Sequence, residues 1–239
     1  ADTCADNLKK TQIKNNIMRE ARDLFYERKF EELMDSHNHI LCFNNGVIDF
    51  EKQIFREGVP EDFNSKSTNI EYEPLDRNKH ATIISEIEEF MCQLFPIEDL
   101  RRYMWDHLAS CLIGKNENQT FNIYNGVGRN GKSALVTLMY KILGDYTGSV
   151  PISLITQKRG LIGGTSSEVV NLRGTRYAVM QESSKGDQIN EGVMKELTGG
   201  DKITARGLYT NAVTFVPQFK LVMICLLYTS DAADDFTSV

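Results

Sequence analysis

No run of apolar residues in the 239-residue chain approaches the length needed to span a bilayer, and no signal-peptide pattern opens it. The sequence therefore argues against a membrane role. No CxxC pair occurs among the five cysteines (Cys4, Cys42, Cys92, Cys111 and Cys225), and their number is odd. That usage fits reduced thiols inside a cell, not a disulfide framework or a zinc knuckle. His37 and His39 have no third and fourth ligand beside them in the sequence, so they read as a surface turn and not as a metal site. Internal repeats and low-complexity segments are absent. Positive charge is in deficit: the net charge of −6 argues against a protein that coats duplex DNA with its whole surface. It leaves open contact with nucleic acid through a few residues.

What is present is ordinary for a globular protein, 41% hydrophobic and 25% charged, with length for one large domain or two modest ones. The chain starts without Met, in the run-up to a helix, and reads as a piece of a longer protein. Ile13, Ile17, Ala21, Leu24 and Phe25 recur at helical spacing. Ile40 to Phe50 forms two short apolar runs around Asn44-Asn45-Gly46, where Asn and Gly would supply the positive φ of a tight hairpin. Residues 57–78, with Pro60 and Pro74, read as an irregular connection. Two amphipathic helices follow. The first carries Ile83, Ile84, Ile87, Phe90, Met91, Leu94 and Phe95 on one stripe. The second runs from Ile97 to Ile113 with Leu100, Tyr103, Met104, Leu108 and Leu112 inward and Gly114 as a stop. Both stripes read as core.

From Gln119 the pattern becomes strand, glycine loop, helix, and later a strand at Tyr177 to Met180 and a helix from Asn190 to Leu197. β-like runs follow at Lys202 to Ala205, Ala212 to Phe215 and Phe219 to Ile224. Strands alternating with helices predict an α/β nucleotide-binding core. The expected division is a mainly helical region with a small hairpin over 1–118, the core over 119–224, and a distinct tail over 225–239.

GVGRNGKS, Gly126 to Ser133, has the GxxxxGK[ST] spacing of a P-loop. Its glycines let consecutive backbone N–H groups turn in around phosphates, the lysine reaches the β- and γ-phosphates, and the hydroxyl holds Mg²⁺. On this reading Gly126, Gly128, Asn130, Gly131, Lys132 and Ser133 bind ATP, and Ser133 holds the metal. A chance match in such a chain is on the order of one in a hundred at ordinary residue frequencies. The second element of such a site is a strand ending in acids that organise Mg²⁺ and the attacking water. RYAVMQES offers Gln181-Glu182 there, with one acid only. Glu182 alone could equally be a solvated side chain. Further on, KELTGGDKITARGLYTNAVTF reads as a helix end and a strand pair bent around Gly207 to Asn211, exposing Lys202, Arg206 and Tyr209. Basic and aromatic side chains together suit single-stranded nucleic acid, although composition alone would favour an ordinary surface hairpin.

In this order and spacing, GVGRNGKS, the Gln-Glu strand end, and KELTGGDKITARGLY followed by FKLVMIC resemble superfamily 3 helicases. The match is nearest to the poxvirus-type primase-helicases of large nucleocytoplasmic DNA viruses and their phage and plasmid relatives. FNNGVIDF and PEDFNSKSTNIEYEP resemble the helical region that precedes the ATPase there. The resemblance implies a P-loop NTPase core of AAA+-like type, an ATP- and Mg²⁺-dependent DNA helicase motor for replication, and a homo-oligomeric, hexameric ring. It also implies single-stranded DNA as partner, a primase domain upstream, and an intracellular location in the cytoplasm or at a viral replication site. Lys132 and Ser133 would bind phosphates and Mg²⁺. Glu182 would hold the metal and polarise the attacking water, with Gln181 where other branches have an acid. Asp201, Arg206 and Tyr209 fall in the family's third motif, which carries the hairpin gripping DNA.

Two departures stand out. Leu226 occupies the position after the FKLVMIC-type strand where the family has an Asn that senses the γ-phosphate, and no arginine finger follows. CLLYTSDAADD, from Cys225, resembles a translated sequencing adapter, so residues 225–239 are expected not to be biological. Two other readings stay open. A small-molecule kinase would need a basic lid, and none is clear. A nucleotide-dependent assembly or loading module would use its ATP site chiefly to hold a ring together, which Gln181 would suit.

Overall fold

The computed structural model of the chain describes residues 2–126, 130–156, 166–180 and 188–226. It opens with three helices, α1 (Asp2–Lys9), α2 (Thr11–Leu24) and α3 (Phe30–Leu33). α2 forms where the stripe of Ile13, Ile17, Ala21 and Leu24 predicts it, yet it buries none of its residues. The expected hairpin follows as β1 (Ile40–Phe43) and β2 (Gly46–Asp49), antiparallel with Phe43 opposite Gly46, and a third strand, β3 (Ile54–Arg56), pairs with β2. One expectation for the turn fails: Asn44 and Asn45 keep negative φ, and Gly46 alone is positive, at 152°. The reason is β3. A Cβ on Gly46 would lie 2.6 Å from the Arg56 carbonyl oxygen and 2.7 Å from the Phe55 ring, so only glycine lets the third strand close.

The connection over 57–78 is irregular, as predicted, but firmly held. Arg56 donates two hydrogen bonds to the Asp62 carboxylate, at 2.9 and 2.6 Å, and keeps that carboxyl below the usual range. Asn64 donates to the Tyr146 hydroxyl at 2.7 Å, and Asp145 accepts from Ser67 and Asn69. Helices α4 (Ala81–Leu94) and α5 (Glu98–Ser110) come next. Only part of each apolar stripe is core. Met91, Met104 and Leu108 are buried, whereas Ile83 and Ile87 on α4 and Leu100 and Tyr103 on α5 are exposed. α5 also stops short of Ile113, because the carbonyls around its end turn toward a buried lysine described below.

The second half builds one parallel sheet. Its parts are β4 (Phe121–Gly126), α6 (Lys132–Leu143), β5 (Thr147–Val150), α7 (Ser153–Thr156), α8 (Ser167–Val170), β6 (Tyr177–Met180), α9 (Glu191–Thr198), β7 (Ile203–Arg206), β8 (Ala212–Phe215) and β9 (Lys220–Leu226). The strand order is β4-β9-β6-β5, all parallel, while β7 and β8 form a separate antiparallel pair. Successive side chains of a strand point to opposite faces. Tyr177, Val179 and Val222 accordingly join α6, α4, α5 and Leu41 in one core, and Ala178, Met180, Leu221 and Met223 join α9 and the β7–β8 pair in the other. β6 is buried on both faces, which is why YAVM is apolar throughout and does not alternate.

Two cations fasten these layers. Arg176, just before β6, donates to the carbonyls of Ile40 and Leu112 and stacks its guanidinium 4.6 Å from the centre of the Tyr146 ring. Burial pulls its pKa down to about 10, which leaves it charged at neutral pH. Lys220, the first residue of β9, donates to the carbonyls of Ser110 at 2.8 Å, Ile113 at 3.1 Å and Lys115. Hydrogen bonds to a charged group are each worth about 1.5–3 kcal/mol, and a buried carbonyl left without its donor costs more. Arg176→Met should therefore lower stability by at least about 3 kcal/mol. Urea unfolding followed by the fluorescence of Trp105 would show a lower midpoint at unchanged slope; an unmoved midpoint would contradict the role given to Arg176.

Candidate functional site

β4 ends at Gly126 and α6 begins at Lys132, so the glycine loop lies at the carboxyl edge of a parallel sheet, where open α/β folds bind ligands. Val127, Gly128 and Arg129 lie outside the described residues. Around them the frame is well defined. Lys132 bends back so that Nζ donates to the Gly126 carbonyl at 2.8 Å and to Asn130 Oδ1 at 2.9 Å. Asn130 in turn packs its amide against Gly126, where a Cβ would collide with it. Gly131 caps α6 with φ of 81° and ψ of −3°, a left-handed conformation, and a Cβ there would fall 2.7 Å from Leu94 Cδ1. Both glycines are thus fixed by close approach as well as by spacing. Ser133 is exposed in the first turn of α6, which contains no acid. A helix start with no acid in its first turn and an adjacent ammonium suits an anion.

The other predicted residues distribute as follows. β6 ends at Met180, paired with Met223 of β9, at the same edge of the sheet as the loop; Gln181 and Glu182 lie outside the described residues. β9 places the Leu226 backbone directly opposite Gly126. The β7–β8 pair carries the basic and aromatic residues. Ile203 and Ala205 face the core, while Asp201, Lys202 and Arg206 are exposed. Arg206 Nε donates to the Thr210 carbonyl at 3.1 Å across the turn. Tyr209 sits at the tip, 99% exposed, with φ of 58°. A tyrosine rarely holds positive φ, and such outliers concentrate where function constrains the chain.

Sequence reading missed Arg176, Lys220 and His107, since nothing local marks a cation or imidazole for burial. It also missed a cleft of about 450 Å³ between Phe50 and Glu51, α5 and residues 115–118, lined among others by Tyr103, Asp106, His107 and Lys220. His107 there contacts the Tyr124 hydroxyl at 2.9 Å, and burial, then the charge of Lys220, pulls its pKa down to about 4. Thr120 of the cleft precedes β4, so the cleft lies at the amino end of the strand that delivers the glycine loop at its other end. The pair His37 and His39 lies at a turn, as read, but is half-buried: His37 Nδ1 meets the Asp62 carbonyl at 3.2 Å and His39 Nδ1 lies 3.6 Å from Glu51. Among the described residues no group of three or more His, Cys, Asp or Glu could hold a metal ion.

Residues 2–96 match the family model described as D5 N terminal like. The similarity runs well past that segment: a protein named as a candidate helicase in Acanthamoeba polyphaga mimivirus is 36% identical over 228 residues, 95% of this chain and 24% of that protein. The chain is similar along nearly its whole length to proteins of large DNA viruses named for helicase or primase activity. A candidate helicase of Invertebrate iridescent virus 3 is 31% identical over 235 residues, 96% of this chain and 25% of its own length. A candidate primase of African swine fever virus is 28% identical over 212 residues, 85% of the chain and 21% of that protein. The chain thus spans a quarter or less of these curated relatives. The apo C terminal region of NrS-1 is similar over 59% of the chain and 32% of its own, with a TM-score of 0.48 and 14% identity. Among the described residues no helix is long and apolar enough to cross a membrane.

The left-handed backbone at Gly131 yields a test. Gly131→Ala should cost roughly 1–2 kcal/mol, about 1 from the left-handed conformation and the remainder from displacing Leu94. Because the two residues touch, Leu94→Ala should offset part of the cost in the double variant. Full additivity in urea unfolding of the three variants would show that the contact does not restrict the loop.

Proposed function

We propose that the chain is the nucleotide-binding and strand-contacting part of an ATP-dependent DNA helicase motor of superfamily 3, acting in replication. The observation that carries this reading is the Lys132 ammonium, held at the carboxyl edge of a parallel sheet between Gly126, against which Asn130 packs, and Gly131, whose left-handed backbone disfavours a larger residue. That frame fits a triphosphate: Lys132 would meet the β- and γ-phosphates, the first N–H groups of α6 would cradle them, and the Ser133 hydroxyl would hold Mg²⁺. Bound Mg²⁺–ATP would supply the phosphoryl group whose hydrolysis drives movement along DNA. Glu182 is proposed as the acid that orients water and helps hold the metal. Lys202, Arg206 and Tyr209 are proposed to contact single-stranded DNA, combining phosphate attraction with stacking. A hexameric ring, an upstream primase domain and a viral replication site inside the host cell belong to the same proposal.

A second reading is a module in which nucleotide chiefly holds an assembly together, which Gln181, in the place of a second acid, would suit.

Lys132→Ala should reduce Mg–ATP binding at least tenfold, measured by titration with a fluorescent ATP analogue, with the circular dichroism spectrum unchanged. Unaltered affinity would remove the site. In the full-length protein, Tyr209→Ala should weaken single-stranded DNA binding by about 1–3 kcal/mol, the value of one stacked base. Arg206→Ala should lower the slope of log affinity against log salt by about one. Wild-type affinity and slope in both variants would make the hairpin merely structural.

A further inference from the structure

The β7–β8 pair is braced on each strand by a different short helix. α8 packs beside β7, and the N–H of Ser166, just before α8, donates to the Arg206 carbonyl at 2.8 Å. α3 lies beside β8. One side chain fastens the two braces to each other. Arg173, three residues beyond α8, donates from Nη2 to the carbonyls of Glu31 and Met34, the latter at 2.7 Å. Both carbonyls lie at the end of α3, where a helix lacks internal donors and carries partial negative charge. Backbone packing holds the same place. Gly174 has φ of 67°, and a Cβ on it would lie 2.9 Å from Asp35 Cβ. Asp35 is itself pinned, since its carboxylate accepts from the Ser65 N–H and hydroxyl at 2.7 Å each. Gln218 completes the frame. It follows the hairpin, three residues after Phe215, and donates from Nε2 to the Asp35 carbonyl at 2.8 Å.

We propose that Arg173 and Gln218 are positioning residues for the hairpin tip: they set where Arg206 and Tyr209 stand relative to the sheet, without touching DNA themselves. The inference rests on the strand-contact reading of the hairpin. Tyr209 and Arg206 are exposed to an arriving strand, whereas Gln218 is only 8% exposed and Arg173 Nη2 is engaged by the two α3 carbonyls. A two-stranded hairpin is marginally stable by itself. Ile203, Ala205 and Phe215 hold this one to the core by a single face, about which it could rock. α8 against one strand and α3 against the other leave it one orientation. The Arg173 clasp makes that orientation depend on the spacing between α3 and α8, and Gln218 ties the hairpin's exit to the same point. Residues 31–35 of the N-terminal segment thereby take part in DNA contact at a distance.

Fluorescence anisotropy of a labelled oligothymidylate bound by the full-length protein tests this with two variants. Gln218→Leu removes a donor at constant charge, and Arg173→Met keeps the stem and loses the clasp. Each should weaken DNA binding roughly threefold or more, a part of what one stacked base is worth, with Mg–ATP affinity unchanged. Arg173→Lys still offers a charged donor to the α3 carbonyls and should recover most of the loss. Coupling to the tip separates positioning from general damage. In a Tyr209→Ala background either variant should add little, because the contact it misplaces is already gone, whereas a merely structural loss would add in full. Wild-type DNA affinity in Gln218→Leu and Arg173→Met, beside weakened binding in Tyr209→Ala, overturns the clasp and leaves the hairpin reading intact. Full additivity overturns it too, as does parallel loss of ATP and DNA binding in both variants. Wild-type affinity in Tyr209→Ala overturns the hairpin reading and the clasp with it.

Discussion

Burying a positive charge is the constraint on which this fold turns. Arg176 and Lys220 enter the sheet at the amino ends of β6 and β9, and neither is paired with a carboxylate among the described residues. An unsolvated charge costs several kcal/mol unless its donors are met. Here they are met by backbone carbonyls that themselves need donors: Ser110, Leu112, Ile113 and Lys115, around and beyond the end of α5, and Ile40 at the start of β1. A helix end offers unpaired carbonyls and partial negative charge, so α5 and Lys220 each resolve the other's deficit. The result is that the segment before residue 119 and the sheet after it share one core, with Leu41, Met91 and Leu108 packed among Leu135, Val179 and Val222.

That arrangement divides the sheet by function. Cations, carbonyls and the neutral His107 occupy its amino edge and hold it to the preceding helices. The carboxyl edge is left to the glycine loop, the ends of β6 and β9, and one lysine that folds onto its own loop. A phosphate group approaching that edge would meet N–H groups of α6 and an ammonium positioned by Gly126 and Asn130, with no acid in the first turn to repel it. Placing Arg176 and Lys220 at one end and Lys132 at the other keeps the two sets from competing for the same partners.

The sequence was most readable where backbone chemistry is local. The strand, glycine loop and helix around Gly126 to Leu143, the hairpin at Ile40 to Asp49, and the antiparallel pair ending at Phe215 all lie where spacing and turn residues predict them. β5 was illegible, because Thr147-Gly148-Ser149-Val150 neither alternates nor carries a long apolar run; it is a strand because β6 supplies its partners. The stripes of α2, α4 and α5 were legible as helices but not as core, since periodicity says which side of a helix is apolar and not what covers it. Gly46 was legible as a turn residue for an incomplete reason: its φ answers to β3 as well as to the two-residue turn. Arg176 and Lys220 look in the sequence like any surface cation, and only the assembled carbonyls make them interior. Of the candidate site, Lys132, Asn130 and the two flanking glycines lie together, while Gly128, Gln181 and Glu182 lie outside the described residues.

The hairpin and the glycine loop are also linked along the chain itself. β7 and β8 are rooted by Ile203, Ala205 and Phe215 in the same core as α9, so the tip at Tyr209 is not a free loop. Five residues after Phe215 the chain enters β9, held at its start by Lys220, and β9 runs through the middle of the sheet to end beside Gly126. A strand hydrogen-bonded on both sides moves as a unit with its neighbours. Any load on the tip therefore enters the central strand, and any change at the loop bears on the strand that carries the hairpin. If nucleotide and single-stranded DNA bind where proposed, no separate hinge is needed for each to sense the other: a short covalent path through β9 already joins them, and the buried Lys220 fixes the end about which that strand can shift.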